Sequence, residues 1–260
     1  HPSVSENKDR HISNSVKVIQ LPETALSPPL NASRRVLRHL ISEIENSDHQ
    51  IIHFHSHMNL LSHGAINLTR RKLKNLPIVF SPHFDISLST KWLRSFFPLF
   101  NLTAGKRSLG KVDHIVFNSE FEKIAYEKSV GKTRKSSIIA PGIDWDPIAR
   151  DRVWDNEIVL MFCGHAIKRK RPDRFVSLIS ELYKLGQKDA IKVRGKFASE
   201  GPEKFACMNM AEELGISDQI EWLPFLPREV MIREISSADY FVLLSDSEAY
   251  GISVAEAISL

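Results

Sequence analysis

Apolar residues along this chain fall into short blocks separated by stretches in which they recur three and four positions apart. The blocks Val16–Ile19, Ile51–Phe54, Ile78–Ser81, Ile115–Asn118 and Ser137–Ala140 are bounded by polar or turn residues and predict buried strands. Between them, Ser33–Glu45 and Glu120–Ser129 repeat apolar positions with helical spacing. The pattern restarts after "APGIDWDPIARDRVWDN", where Pro141, Gly142 and Pro147 lie among charges and predict a linker. Beyond it, predicted strands at Ile158–Cys163, Ile191–Arg194, Ile220–Leu223 and Tyr240–Leu244 alternate with helices near Pro172–Leu185, Glu203–Leu214 and Pro227–Ser236. Such alternation predicts a layered α/β protein with mostly parallel sheets, in domains at residues 1–144 and 157–260 joined by a linker at 145–156. Residues 1–15 are polar without a strand signal, and the chain stops inside an amphipathic stretch. An internal fragment cut at both ends, with its first strand missing, is therefore expected.

Composition narrows the class. With 42% hydrophobic and 25% charged residues the chain reads as globular, and its apolar runs fall far short of the roughly 20 residues of a membrane-spanning helix. Only Cys163 and Cys207 are present, which gives no disulfide framework and fits a reducing, cytoplasmic compartment. Sequons at Asn31, Asn67 and Asn101 would matter only in a secreted protein. Residues 1–150 carry 21 Lys and Arg against 13 Asp and Glu, a surplus of +8, whereas residues 151–260 carry 14 against 18, or −4. The basic half suits phosphate-bearing acceptors or an anionic membrane surface, or is simply a solvated face.

The chemistry concentrates near the end. "SDSEAYGISVAEAISL" reads as a loop, Ser245–Gly251, followed by a helix from Ile252. Ligands of open α/β sheets bind beyond the carboxyl ends of strands, where the next helix presents free N–H groups, so an anion is expected near Tyr250, Gly251 and Ile252. Gly251 allows close backbone approach. A carboxylate repels phosphate but accepts hydroxyl hydrogen bonds well, which gives Glu248 sugar hydroxyls and Glu256 a ribose diol. The alternative is that Glu248 complements the helix dipole and Glu256 is a surface residue. A second segment, "VLMFCGHAIKRKRPDRF", ends a strand at Gly164 and places His165, Lys168, Arg169, Lys170 and Arg171 before a helix, either as cations for a diphosphate leaving group or as a solvated loop.

Together these stretches resemble the retaining glycosyltransferases of the GT-B fold, in the family called glycosyl transferases group 1 and also numbered family 4. The likeness is carried by "ADYFVLLSDSEAYGISVAEAISL" with its two glutamates, "CGHAIKRKRPD", "VDHIVFNSEFEK" and "IIAPGID", and extends from about Ile51 to Leu260. It implies two Rossmann-like, doubly wound domains facing across a cleft. It also implies that Glu248 contacts the donor sugar, Glu256 the nucleotide ribose and Lys170 the diphosphate, with His165 where the family has an arginine and Arg169 or Lys168 compensating. Gly195 matches the glycine after the next strand, Phe225 and Leu226 the nucleobase position, and His83 the histidine near the reacting centre, where it orients or hydrogen-bonds the transferred sugar.

The same resemblance implies transfer from a UDP- or GDP-sugar to a glycan, lipid or small acceptor with retention, by a front-face mechanism with no metal or other cofactor. Architecture-sharing alternatives are a nucleotide-sugar epimerase and a non-catalytic nucleotide-sugar-binding subunit. No nucleic-acid partner is expected, because neither a stacking platform nor a recognised binding motif is evident. In "IIHFHSH", His53, His55 and His57 would share one face of an extended strand, either lining the acceptor side or binding zinc. "KWLRSFFPLFNLTAGKR" mixes Trp92, Phe96, Phe97 and Phe100 with cations. It reads either as a segment for peripheral contact with the cytoplasmic face of an anionic membrane or as an ordinary packed helix.

Overall fold

The computed structural model describes residues 10–13, 16–18, 34–46, 50–84, 98–143 and 155–260. The chain divides into two compact units, His1–Phe84 with Thr90–Ala140, and Asp85–Ser89 with Pro141–Leu260.

In the first unit, β1 (Arg10–Ser13) and β2 (Val16–Val18) form a two-stranded antiparallel pair. This corrects two expectations: the opening residues do contain a strand, and the Val16 strand lies outside the parallel sheet. Segments this close in sequence can pair only antiparallel, because a parallel pair needs a crossover of about a dozen residues. Next come α1 (Arg34–Glu45), β3 (Ile52–His55), α2 (Leu60–Lys72) and β4 (Ile78–Ser81). A helical stretch at 98–109 ends in α3 (Lys106–Leu109), after a π turn at Asn101–Gly105. The unit closes with β5 (His114–Phe117), α4 (Glu120–Ser129) and β6 (Ser136–Ile138).

The four later strands form a parallel sheet in the order β3-β4-β5-β6. Phe54 lies opposite Phe80, Phe80 opposite Ile115, and Phe117 opposite Ile138. Their inward side chains pack with Ala65 and Ile66 of α2 and with Tyr126 and Val130 at the end of α4. Ser119 caps α4 by accepting the Glu122 N–H at 3.0 Å, and Asn59 caps α2 through the Leu61 N–H at 2.9 Å.

The second unit contains β7 (Glu157–Cys163), α5 (Pro172–Asp189), β8 (Lys192–Ala198), α6 (Lys204–Glu213), β9 (Ile220–Leu223), α7 (Arg228–Ser237), β10 (Tyr240–Phe241) and α8 (Ile252–Ser259). All four strands are parallel, in the order β10-β7-β8-β9. The chain thus winds from β7 outward through β8 and β9, then returns to the other side of β7. The point of reversal lies between β7 and β10, and the crevice at their carboxyl ends is where a doubly wound sheet binds its ligand.

Two strands end three or more residues from where they are expected. β8 runs three residues past Gly195, to Ala198, because Val193, Gly195 and Phe197 alternate onto the face covered by α5. The regular pairing of β10 stops at Phe241, although the Val242 N–H still reaches Met161 O at 2.8 Å.

Candidate functional site

At the reversal point of the second sheet, two loops meet. The apolar strand β7 delivers the chain to Gly164, whose φ of +144° lies where L side chains are strained. A single turn, Lys168–Lys170, then leads to Arg171 and to Pro172 at the start of α5. The Lys170 side chain folds back over Gly164 so closely that a Cβ there would lie 3.3 Å from Lys170 Cδ and 3.4 Å from Nζ. Opposite, the loop after β10 is tied to this basic turn by its backbone: Asp246 N–H donates to Arg169 O at 2.9 Å, and Arg169 donates to Ser247 O.

These ties bring Glu248 onto the cations. One carboxylate oxygen lies 3.1 Å from Lys170 Nζ and accepts the Ser245 hydroxyl at 2.8 Å; the other lies 3.2 Å from the Arg169 guanidinium. Partial burial opposes ionisation of Glu248, but the Ser245 hydroxyl, Lys170 and Arg169 outweigh it and hold the carboxyl below its ordinary range. Asp246 braces the arrangement from outside by pairing with Arg171 at 3.4 Å and Arg174 at 3.0 Å, and Arg174 also donates to Leu244 O at 3.0 Å. Sequence reasoning left Ser245, Asp246 and Arg174 unassigned. Nothing in their spacing distinguishes them from the surrounding polar run.

Gly251 follows, buried, with φ +77° at the cap of α8. It offers no capping side chain, so the cap leaves the backbone amides at Ile252 and Ser253 to other acceptors. Tyr250 is half-buried beside it and Ile252 is exposed. Glu256, one turn into α8, is half-buried, and burial raises its carboxyl against the opposing charge of Arg228. The Cys163 thiol at the end of β7 is pushed up to about 11, chiefly by burial and further by Glu256, while Lys170 acts the other way.

One predicted residue falls elsewhere in the fold. Gly195 sits within β8 and not after it; a Cβ there would lie 3.0 Å from Ile179 Cγ1 and 3.3 Å from Phe175 Cε1, so its missing side chain admits α5 onto the sheet. Phe225 and Leu226 follow β9, Phe225 being 83% exposed and Leu226 half-buried. The glycine beyond the carboxyl end of β8 is Gly201, with φ +143°, where a Cβ would press to 2.6 Å from Ala166 O. Of the two cations offered as substitutes for the missing arginine, Arg169 reaches Glu248 and Lys168 is exposed, as is His165.

In the first unit, the histidine stretch divides in two. His53 and His55 remain on one face of β3, with ring centroids 4.2 Å apart, and His53 Nε2 lies 2.9 Å from Ser81 Oγ. His57 does not share their face, because the strand ends at His55 and Ser56 takes φ +72°, turning the next side chain inward. Its ring is fully buried among Phe84, Phe100 and Tyr126, with Nε2 at 2.8 Å from Asn101 Oδ1, and burial lowers its pKa to about 3. His83 stands at the end of β4, its Nε2 2.8 Å from His55 Nδ1 and its Nδ1 2.9 Å from Asn118 Nδ2. Among the described residues, no group of three or more His, Cys, Asp or Glu is arranged to hold a metal ion.

Two sequons are structural: Asn101 is buried on His57, and Asn67 bonds His63 O, Ser108 and Lys111. In the aromatic and basic segment, Phe100 is buried against His57 and His63, whereas Leu99 and Leu102 are exposed. Trp92, Phe96 and Phe97 lie outside the described residues. Among the described residues, no helix is long and apolar enough to cross a membrane.

Two parallel α/β units, the second with an acidic loop and a basic turn at its reversal point, define the class of the GT-B glycosyltransferases. Residues 2–146 match the family described as Glycosyltransferase Family 4 and residues 147–260 match Glycosyl transferases group 1; the chain belongs to this glycosyltransferase family. Among curated proteins it is similar to a D-inositol 3-phosphate glycosyltransferase of Nocardia farcinica, 25% identical over 222 residues that cover 78% of this chain and 48% of that one. A protein of the same description from Mycolicibacterium smegmatis is 25% identical over 218 residues, covering 78% and 49%. The chain thus spans about half the length of the curated relatives it matches. Its fold is shared with sucrose-phosphate synthase from Thermosynechococcus elongatus, with a TM-score of 0.75 at 15% identity over 98% of this chain and 66% of that one. It is shared also with a lipopolysaccharide outer core galactosyltransferase, with a TM-score of 0.58 at 15% identity over 86% and 57%.

Proposed function

We propose that the protein to which this chain belongs transfers a hexose-type sugar from a UDP- or GDP-sugar to a glycan, lipid-linked or small acceptor with retention of configuration. The observation that carries the reading is the meeting of Lys170, Arg169 and Glu248 at the reversal point of a doubly wound sheet, beside the glycine-capped start of α8. Lys170, Arg169 and the first amides of α8 take the diphosphate and its developing charge as it leaves. Arg169 supplies the second cation that His165 does not. Glu248, kept anionic by its partners, accepts hydroxyls of the sugar, and Glu256 accepts the ribose diol. Phe225 offers an exposed ring to the base. Acceptor attack then occurs on the face from which the diphosphate departs, across an oxocarbenium-like sugar.

In this reading His83 and its neighbours serve the acceptor and the transferred sugar by orientation. The exposed Leu99 and Leu102, with Lys106 and Arg107 on the same helical stretch, support peripheral contact with an anionic membrane at the cytoplasmic face.

The test uses the full-length protein. A panel of nucleotide sugars is screened for thermal stabilisation, and the stabilising donor is then assayed for hydrolysis and transfer. The reading expects one donor to bind selectively and Lys170→Ala to lose most turnover while melting normally. Equal activity in Lys170→Ala removes the site assignment; release of a rearranged free nucleotide sugar without any acceptor identifies an epimerase instead.

A further inference from the structure

Three elements converge on His83, and one of them has no role yet. His83 has φ +46°, in the left-handed region where a residue other than glycine is strained. It is held there by Glu122 of α4, a fully buried carboxylate whose two oxygens accept the backbone N–H groups of Phe84 and Asn118, each at 2.7 Å. Ser119 and Glu122 have capping-box spacing, but this carboxylate reaches past the cap to tie the end of β4 to the end of β5. The His83 ring is thereby fixed between the side chains of Asn118 and His55.

The chemistry of the three groups orders their protons. An amide nitrogen can only donate, so Asn118 Nδ2 donates to His83 Nδ1, which accepts. Neutral His83 therefore carries its single proton on Nε2, and that proton points to His55 Nδ1 at 2.8 Å. His55 Nδ1 accepts in turn and leaves the His55 proton on Nε2. His55 is exposed, and its Nε2 makes no hydrogen bond among the described residues. Burial, with the neighbouring His53 and His83, lowers the pKa of His55 and keeps the ring neutral near pH 7.

We propose that Asn118 is a positioning residue that sets the tautomers of His83 and His55, so that the pair presents an Nε2–H donor, and not a proton acceptor, to a hydroxyl oxygen of the ligand. The identity of that ligand as a sugar or its acceptor rests on the transfer reading above; the proton order does not.

The experiment is 15N NMR of the full protein with labelled histidine at pH 7.5, the signals assigned through His55→Phe and His83→Phe. Both rings are expected to show an unprotonated Nδ1 and a protonated Nε2. Asn118→Asp, whose carboxylate only accepts, is expected to place a proton on His83 Nδ1 and to lower kcat roughly tenfold, the effect of losing one hydrogen bond, with the donor KM unchanged. Substitution at Asn118 keeps its backbone bond to Glu122, so the loop geometry persists; Asn118→Ala, with the same melting temperature, controls for folding. A protonated His83 Nδ1 in the unaltered protein overturns the assignment. Rings that shift in Asn118→Asp while kcat stays the same overturn the donor role. Absence of turnover with every donor sinks the transfer reading, while the NMR still decides the proton order by itself.

Discussion

Replacing Glu248 by glutamine should separate donor binding from transfer, because the two cations that would take the diphosphate are paired with this carboxylate. Its oxygens lie 3.1 Å from Lys170 Nζ and 3.2 Å from the Arg169 guanidinium, and the three side chains are only 16–24% exposed. A diphosphate must therefore share Lys170 and Arg169 with a like charge. The neutral amide removes the Glu248 charge from these partly desolvated cations, a penalty on the order of 1–3 kcal/mol that a bound diphosphate relieves. UDP or GDP alone is thus expected to bind Glu248→Gln tighter by about 1–2 kcal/mol, roughly 5- to 30-fold. Transfer moves the opposite way: losing a charged acceptor for the sugar hydroxyls is worth about 1.5–3 kcal/mol, or roughly 10- to 160-fold in turnover. Calorimetry with the free nucleotides at low and high salt reads the first effect, which shrinks as salt screens the charges. A steady-state transfer assay reads the second. Nucleotides that bind Glu248→Gln no tighter than the unaltered protein would refute the competition, and unchanged transfer would refute the sugar contact.

Gly195→Ala should lower stability by about 1–3 kcal/mol, since its Cβ would overpack Ile179 at 3.0 Å, while leaving nucleotide affinity unchanged; an affinity loss without destabilisation returns this glycine to the ligand. His57 makes the first unit acid-sensitive. Its folded pKa of about 3 lies below the ordinary 6.5, so the unfolded chain binds a proton the folded one does not, and stability falls as pH drops from about 6.5 toward about 3. At pH 5 the loss from this residue is about 2 kcal/mol, and buried His63, lowered for the same reason, adds in the same direction. Urea unfolding at pH 7 and pH 5 should show it, and equal midpoints at the two pH values would contradict it.

Much of the architecture was legible because it depends on local pattern. The strands at Ile78, Ile158 and Ile220 and the helices from Glu120 and Pro172 begin where apolar periodicity, caps and proline place them. The candidate cations and glutamates could likewise be named, because strand, glycine, loop and helix follow one another within single segments of chain. Local pattern misled where a long-range partner decides the outcome. Gly195 reads as a strand end, yet packing by α5 keeps it in the sheet, and alternation predicts that His57 shares a face with His55, yet a positive φ at Ser56 turns it into the core.

By itself, then, the sequence determined most of the strands and helices and which residues carry charge to the ends of the second unit's strands. Only the tertiary structure decided that Arg169, and not Lys168, stands beside Lys170 on Glu248, that Asp246 braces that turn, and that Asn118 and Glu122 fix the ring of His83. These pairings join residues 35 to 79 positions apart. Their geometry follows from strand order and loop closure, which no periodicity within one segment encodes.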